Sequence, residues 1–292
     1  MRLSYRHLCL PKGGNGPEDY EDAFCPERQH PRTVQVAHPR FAVADGATES
    51  SFAGLWAQKL VRLFCNSRSL RAPTAGSGMA DLQQAVEKQA RAWYKEVNSQ
   101  PLPWNALERV QLGAFSTLLG LALENHEDSI PQGGTWSAFA VGDSCLCQVR
   151  ASQLIASFPM TDAQQFGYHP TLLSTNLESN RVVWQQPTER LIKEGTWQVG
   201  DIFLLMTDAM AHWFLNRGAH DVPGWQELGQ YAKSRRAFEG WISDLRAAKT
   251  MRNDDVTLLI VELQPTRTQP SESQQLELPM LQSEHDSHQQ VS

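Results

Sequence analysis

Three aspartates in this chain stand where short apolar runs begin or end. Asp45 and Asp208 each follow an apolar run, and Asp254 stands just before one. Carboxylates gathered in one place repel one another and resist burial unless they share a cation. Oxygen ligands alone suit Mg²⁺ or Mn²⁺. These residue types therefore indicate a divalent-metal site, if the fold brings the three runs together.

Apolar runs of this length predict β-strands, in which alternate residues share a face. Phe41, Val43 and Asp45 therefore point the same way, and the carboxylate emerges where the strand stops. Gly46 allows a sharp turn and leaves its carbonyl oxygen open to a ligand. If the strand after Asp254 runs antiparallel to the other two, all three carboxylates gather at one edge of one sheet.

The elements that must position these acids are strands mixed with helix pairs, without regular alternation, which is typical of α+β layers. Residues 2–10 predict a first strand. Apolar residues recur at helical spacing in five further segments, namely 52–64, 80–97, 209–215, 225–232 and 238–248.

Three other segments are interpreted from their turns and their composition. Thr135–Val141 and Cys145–Arg150 predict a β-hairpin with Gly142 and Asp143 in its turn, which gives Asp143 a structural role. Residues 112–123 fit either a buried strand or a helix, and residues 152–192 are poorly periodic, as in a mobile insertion.

Composition bounds the function classes. The chain has 292 residues, a net charge of −6 and a pI near 5.9, which argue against a nucleic-acid binder. No apolar run approaches the ~20 residues of a membrane span, and charged residues interrupt any signal-peptide core. Five cysteines without a paired motif indicate free thiols in a reducing cytoplasm. We therefore expect a cytoplasmic protein that contacts neither nucleic acid nor membrane.

Five short motifs in order resemble those of one family. They are Glu21-Asp22-Ala-Phe, Val43-Ala-Asp45-Gly46, Val141-Gly-Asp-Ser144, Leu204-Leu-Met-Thr-Asp208 and Asp254-Asp-Val-Thr257. This set is similar to that of the metal-dependent 2C-type (PPM) protein serine/threonine phosphatases, in their bacterial branch. The resemblance predicts a phosphatase domain over residues 1–263. Residues 264–292 are polar, with few large apolar residues, and predict a disordered tail.

The resemblance implies a four-layer α-β-β-α sandwich with two facing antiparallel sheets and a dinuclear metal site at one edge. Two Mn²⁺ or Mg²⁺ ions would be bridged by Asp45, with Gly46 offering its carbonyl oxygen to one of them. Asp208 and Asp254 would complete the coordination of the other ion. Glu21 and Asp22 would bind the second metal or orient its waters.

In the family the ligand Asp is followed by Asn, and a Thr stands three residues after the Asp. Thr257 lies three residues after Asp254, so Asp255 occupies the Asn position and Asp254 is the implied ligand. The implied activity is hydrolysis of phosphoserine and phosphothreonine in proteins, by in-line attack of a metal-bridging hydroxide. The implied partner is a phosphorylated protein, opposing a serine/threonine kinase, and the chain would act as a monomer.

The chain departs from the family pattern at several positions. The family carries an Arg a few residues before its first Glu-Asp pair to hold the phosphate. Here Pro17 and Glu18 stand in that neighbourhood, so Lys12 or Arg40 would have to hold the phosphate. Asp208 is followed by Ala209 rather than Gly, and Gln111 stands near the place of a third-metal acid. These departures support an alternative, a weak or inactive pseudophosphatase that binds phosphoproteins. A phosphatase for a small metabolite would share the same site.

Overall fold

Two antiparallel β-sheets pack face to face at the centre of the molecule, and helices cover their outer faces. The structure is a computed structural model and describes residues 1–28, 30–66, 73–74, 76–99, 101–102, 104–126, 133–167, 170–217 and 224–265. The predicted tail, apart from its first two residues, lies outside the described residues. Within them, no helix is both long and apolar enough to cross a bilayer.

The strands have the following bounds: β1 Arg2–Leu10, β2 Ala23–Cys25, β3 His30–Gln35, β4 Arg40–Ala44, β5 Phe115–Ser116, β6 Leu118–His126, β7 Gly133–Val141, β8 Cys145–Arg150, β9 Gln153–Phe158, β10 Leu173–Ser174, β11 Ile192–Gln198, β12 Ile202–Met206 and β13 Val256–Gln264. The helices are α1 Ala53–Asn66, α2 Met79–Val97, α3 Trp104–Leu112, α4 Arg181–Trp184, α5 Thr188–Leu191, α6 Asp208–Arg217, α7 Gly224–Tyr231 and α8 Arg235–Ala247.

The two large sheets have simple antiparallel orders. One has six strands in the order β3-β1-β13-β12-β8-β9, and the other has five in the order β11-β7-β6-β4-β2. β12 pairs with β13 antiparallel, with Leu204 opposite Ile260. The end of β12 and the beginning of β13 therefore lie side by side, which places Asp208 and Asp254 at the same end of that sheet.

Alternation along the strands divides the apolar residues into three layers of core. Phe41 and Val43 of β4 join Phe203 and Leu205 of β12 in a buried cluster between the sheets. The ring of Phe41 meets that of Tyr5 edge-on across the interface, with centroids 5.4 Å apart. This interdigitation of two inner faces is what holds stacked sheets together.

The outer faces of the sheets are covered by helices on both sides. Trp56 of α1 and Trp93 of α2 pack with Ala42 and Ala44 over the five-stranded sheet. Trp213 of α6 and Phe238 of α8 pack with Leu204 and its neighbours over the six-stranded sheet. The molecule is therefore a four-layer α-β-β-α sandwich, as predicted.

The predicted gathering of the three acids at one sheet is wrong. β4, which leads to Asp45, belongs to the five-stranded sheet, whereas β12 and β13 belong to the six-stranded one. Strand parity fixes which face a side chain occupies, but it does not say which sheet the strand joins. The three acids come instead from the same end of two facing sheets.

The predicted hairpin around Asp143 is also wrong. Val141 pairs with Leu118 in one sheet, whereas Cys145 pairs with Met206 in the other. The chain crosses between the sheets at Gly142 and Asp143, because both strands are buried and each completes a different sheet. Gly142 has φ of +98°, which a side chain would strain.

The sequence pattern missed several elements, among them β9, β11 and α3. The segment interpreted as a poorly periodic insertion begins with β9, which forms the true hairpin with β8. Ala151 and Ser152 make its two-residue turn, both with positive φ, which only the backbone reveals. Helix α3 was also missed, while the ambiguous residues that follow it form strands β5 and β6.

At the start of β12, away from Asp208, a buried carboxylate ties the two sheets together. The Asp201 carboxylate accepts hydrogen bonds from Arg150 Nε and Nη2 and from Gln148 Nε2, each 2.7 Å long, and from the Gln198 amide at 2.9 Å. The Asp201 side chain is 0% exposed, so water does not replace a lost partner.

We expect Asp201→Ala to lower the free energy of unfolding by about 2–3 kcal/mol, because it leaves charged and polar donors unpaired. Urea unfolding followed by circular dichroism measures the change. Asp244→Ala, on the exposed face of α8, is the matched control. A loss no larger than that of the control would show that this network adds nothing to stability.

Candidate functional site

A cavity of about 450 Å³ opens at the end of the sandwich where β4 and β12 stop and β13 begins. Its lining is acidic, and it contains three of the aspartates and the glycine singled out in the sequence. The lining residues used below are Asp45, Gly46, Glu49, Asp143, Asp208, Arg252 and Asp254. The fold therefore brings the three predicted acids to one place.

Asp45 leaves the inter-sheet core at the end of β4, as the alternation predicted. Its backbone is fixed, because the Asp45 amide donates to Thr117 Oγ1 at 2.8 Å and its carbonyl accepts from the Thr117 amide at 2.9 Å. Burial, followed by the neighbouring Asp22, Asp208, Asp143 and Asp254 charges, raises the pKa of the Asp45 carboxyl well above its usual range.

Gly46 is required by close packing at this turn. A Cβ on Gly46 would lie 2.8 Å from both the Glu21 carbonyl oxygen and the Ala53 carbonyl carbon. Any side chain would therefore push the acidic loop before β2 away from the start of α1. The glycine keeps Glu21 and Asp45 close together.

Asp208 and Asp254 come from the adjoining β12 and β13. Asp208 is the first residue of α6, and its Oδ1 accepts from the Ala209 amide at 2.5 Å. Ala209 belongs to that helix, so no glycine is needed there. Burial, with the charges of Asp143 and Asp254, raises the pKa of Asp208 to about 7.

Asp143 adds a fourth carboxylate to the cavity. It is only 4% exposed, and burial raises its pKa to about 6. Ser144 shares a hydrogen bond of 2.7 Å with Thr117, the residue that holds the Asp45 backbone. The crossover between the sheets thus aims Asp143 at the other acids, which a reading of the segment as a hairpin turn did not predict.

Asp22 lies behind the cavity lining, next to Asp45. Asp22 Oδ2 accepts hydrogen bonds from the hydroxyls of Thr257 at 2.6 Å and Thr207 at 2.9 Å. Its other oxygen, Oδ1, is buried and has no hydrogen-bond partner among the described residues. Burial raises the pKa of Asp22 well above its usual range. A buried carboxylate oxygen without a partner is what a bound cation would satisfy.

Glu21 also lies outside the cavity lining and is half-buried, which raises its pKa. The Glu21 amide donates to Asp255 Oδ2, and the Lys12 amide donates to Asp255 Oδ1, both at 2.8 Å. Asp255 therefore anchors the acidic loop to the start of β13. This arrangement supports the choice of Asp254, rather than Asp255, as the candidate ligand.

Neither residue predicted to hold phosphate is among those lining the cavity. Arg40 begins β4, at the end remote from Asp45, and its Nη1 donates to the Phe64 carbonyl at 3.3 Å. Lys12 lies near Glu21 but outside the lining. The arginine that does line the cavity is Arg252, which the motif comparison passed over although it stands two residues before Asp254.

The donor set fits a hard divalent cation. Carboxylates surround the cavity, Gly46 adds a backbone oxygen, and Asp22 holds an unsatisfied oxygen behind it. Among the residues that the structure describes, no three acidic, histidine or cysteine side chains lie close enough together to hold an ion.

No family model matches the chain, and no curated protein matches it. Solved structures do match. A variant of a bacterial serine phosphatase matches with a TM-score of 0.52 at 10% identity, covering 91% of this chain and 100% of that one. The serine/threonine phosphatase PstP/Ppp of Mycobacterium tuberculosis matches with a TM-score of 0.51 at 16% identity, with the same two coverages of 91% and 100%.

A third structure, the catalytic domain of PstP in complex with two manganese ions, matches with a TM-score of 0.48 at 16% identity. The match covers 90% of this chain and 100% of the chain in that structure. The first two likenesses confirm the fold that the sequence motifs predicted. The chain has the fold of the PPM-type serine/threonine phosphatases.

Proposed function

We propose that this protein is a metal-dependent phosphatase that hydrolyses phosphoserine and phosphothreonine in proteins. The observation that carries the proposal is the convergence of Asp45, Asp143, Asp208 and Asp254 on one cavity. The PPM fold supports it. The substrate would be a phosphorylated protein that a serine/threonine kinase produces.

In this mechanism Asp45, Asp208 and Asp254, with the Gly46 carbonyl, would hold two Mn²⁺ or Mg²⁺ ions. Asp22 and Glu21 would bind the second ion or orient its waters. Two such ions, when bound, lower the pKa of water and offset the charge of a phosphate monoester. The hydroxyls of Thr207 and Thr257 fix one oxygen of Asp22, which leaves the other directed away from them.

The described cavity lining contains no cysteine and no histidine. A covalent phosphocysteine or phosphohistidine intermediate therefore has no candidate residue there. The proposed reaction is direct attack of water on phosphorus, with departure of the seryl or threonyl oxygen. The open cavity admits a phosphorylated side chain from solvent.

A second candidate is a phosphoprotein-binding pseudophosphatase. The observation that favours it is the approach of Arg252 Nη1 to Asp208 Oδ2 at 3.6 Å, which partly neutralises a proposed metal ligand without a metal. Phosphate release from p-nitrophenyl phosphate and from a phosphothreonine peptide, with Mn²⁺, Mg²⁺ or EDTA, separates the two candidates. Metal-dependent release supports the enzyme, and peptide binding without release supports the pseudophosphatase.

Thr257→Val should weaken Mn²⁺ binding by about 10- to 100-fold, because Asp22 loses one of the hydroxyls that orient it. The shape of the side chain is kept, so little packing is lost. Isothermal titration of metal-free protein measures the affinity. Thr250→Val, which removes an exposed hydroxyl that donates to the Leu245 carbonyl, is the control. Equal Mn²⁺ affinity in both variants would remove Thr257 from the proposed site.

A further inference from the structure

The charge of the cavity raises the question of how a phosphate group enters it. Its described lining carries five carboxyl groups, from Asp45, Glu49, Asp143, Asp208 and Asp254, and one cationic side chain, that of Arg252. A phosphate monoester is a dianion near neutral pH and is repelled by this wall. Any side chain that binds the phosphate oxygens directly must be a hydrogen-bond donor within reach of the cavity.

Arg252 is held in position by both of its neighbours. Met251 is 4% exposed and its amide donates to the Leu245 carbonyl at 3.3 Å. Asn253 Oδ1 accepts from the Gly13 amide at 2.6 Å, and its Nδ2 donates to the Gly13 carbonyl at 3.2 Å. The backbone at Arg252 is thus fixed, while its side chain lines the cavity and is 35% exposed.

The guanidinium of Arg252 lies near Asp208 and Asp143, and its approach to Asp208 is longer than a hydrogen bond. Arg252 Nη1 is 3.6 Å from Asp208 Oδ2, which is too long for a hydrogen bond. Its charge also acts on Asp143, whose pKa is raised chiefly by burial and is lowered in part by Arg252. The guanidinium therefore lies where it can reach an anion held between these acids.

Two other arginines, one beside Asp254 and one at the far end of β4, make their contacts outside the cavity lining. Arg246 Nη1 and Nη2 donate to the carbonyls of Pro11 at 3.0 Å and Asp254 at 2.6 Å. Arg40 donates to Phe64 and stands outside the lining. A planar guanidinium donates two parallel hydrogen bonds to phosphate oxygens, and this geometry suits Arg252 to the task.

We infer that Arg252 binds the phosphate group of the substrate in this site. The inference rests on the proposed phosphatase function for its substrate class. It replaces Lys12 and Arg40, the residues that the sequence offered for this contact. Since an anion would draw the guanidinium away from Asp208, the same movement frees that carboxylate for metal.

The test uses the full chain and inorganic phosphate as the probe, titrated calorimetrically with Mg²⁺ present. Arg252→Ala should weaken phosphate binding by about 10- to 100-fold, the usual value of a charge-assisted hydrogen bond. Arg252→Lys should restore part of the affinity, because lysine keeps the positive charge but lacks the planar guanidinium that donates two parallel hydrogen bonds. Arg91→Ala, which removes an exposed arginine of α2, is the control.

Mn²⁺ affinity of the phosphate-free protein is measured beside it. We expect Arg252→Ala to bind Mn²⁺ at least as tightly as the unchanged protein, because a cation near Asp208 has been removed. Unchanged phosphate affinity in Arg252→Ala, or no phosphate binding by the unchanged protein, would overturn the inference. Phosphate binding that depends on Arg252 without any hydrolysis would leave the inference standing and refute the proposed catalysis.

Discussion

Asp45→Asn should reduce metal-dependent phosphate release by more than about 100-fold while leaving the fold intact. Asp45 would be a direct ligand of the proposed ions, and even groups that only orient a metal ligand contribute about 10- to 100-fold. Asn keeps the size of the side chain, and the backbone bonds between Asp45 and Thr117 do not involve the carboxylate. Rates on p-nitrophenyl phosphate at saturating Mn²⁺ measure the loss.

For the same variant we expect a gain in thermal stability, in contrast to its loss of activity. In metal-free protein the Asp45 carboxyl is buried among other acids, so removing its charge should raise the melting temperature above pH 7. Asp244→Asn, which removes an exposed acid on α8, should change neither quantity. Activity of Asp45→Asn within a few-fold of the unchanged protein would exclude Asp45 as a ligand of the proposed metals.

The second large effect is on the pH dependence of stability. The pKa of Asp208 is raised to about 7 and that of Asp143 to about 6, both chiefly by burial. A carboxyl whose pKa is higher in the folded state favours folding when protonated. Its contribution is present below the unfolded pKa of about 4 and is lost as pH rises toward the folded value.

Metal-free protein should therefore lose stability between about pH 4 and pH 7, as Asp208 and the acids beside it lose their protons. Mn²⁺ should reverse this trend, because it binds the deprotonated acids, and should raise the melting temperature more at pH 8 than at pH 5.

Thermal unfolding in EDTA and in Mn²⁺, at a series of pH values, tests both parts. Asp208→Asn is the informative variant, since its stability in EDTA should change less with pH than that of the unchanged protein. A metal-free protein that becomes more stable from pH 5 to pH 8, with no difference in Asp208→Asn, would contradict the acid cluster as described.

Many of the strands and helices followed from local patterns, whereas the four-layer arrangement was implied by the family resemblance. The strand ending at Asp45 and the helix after it, for example, are encoded by alternation and by 3.6-residue spacing within one short stretch. The crossover at Asp143 was not predictable in the same way. A turn of Gly142 and Asp143 suits a hairpin locally, and only the pairing of Val141 and Cys145 with partners far along the chain excludes it.

In the candidate site, too, some residues could be predicted from local sequence and others depend on tertiary contacts. Asp45, Asp208 and Asp254 could be found because each stands at the boundary of an apolar run. The orientation of Asp22 depends on hydroxyls from Thr207 and Thr257, about 185 and 235 positions away along the chain. Arg252 was missed because it lies in a loop without periodicity, and its reach into the cavity is a tertiary property.

The most direct test of the account is the initial rate of phosphate release from a phosphothreonine peptide by protein first stripped of metal. The rate should be negligible in EDTA, should rise on titration with Mn²⁺ until the proposed sites are filled, and should stay negligible in Asp45→Asn. Folded protein that binds Mn²⁺ yet releases no phosphate, or that hydrolyses the peptide equally well in EDTA, would contradict the proposed metal-dependent phosphatase.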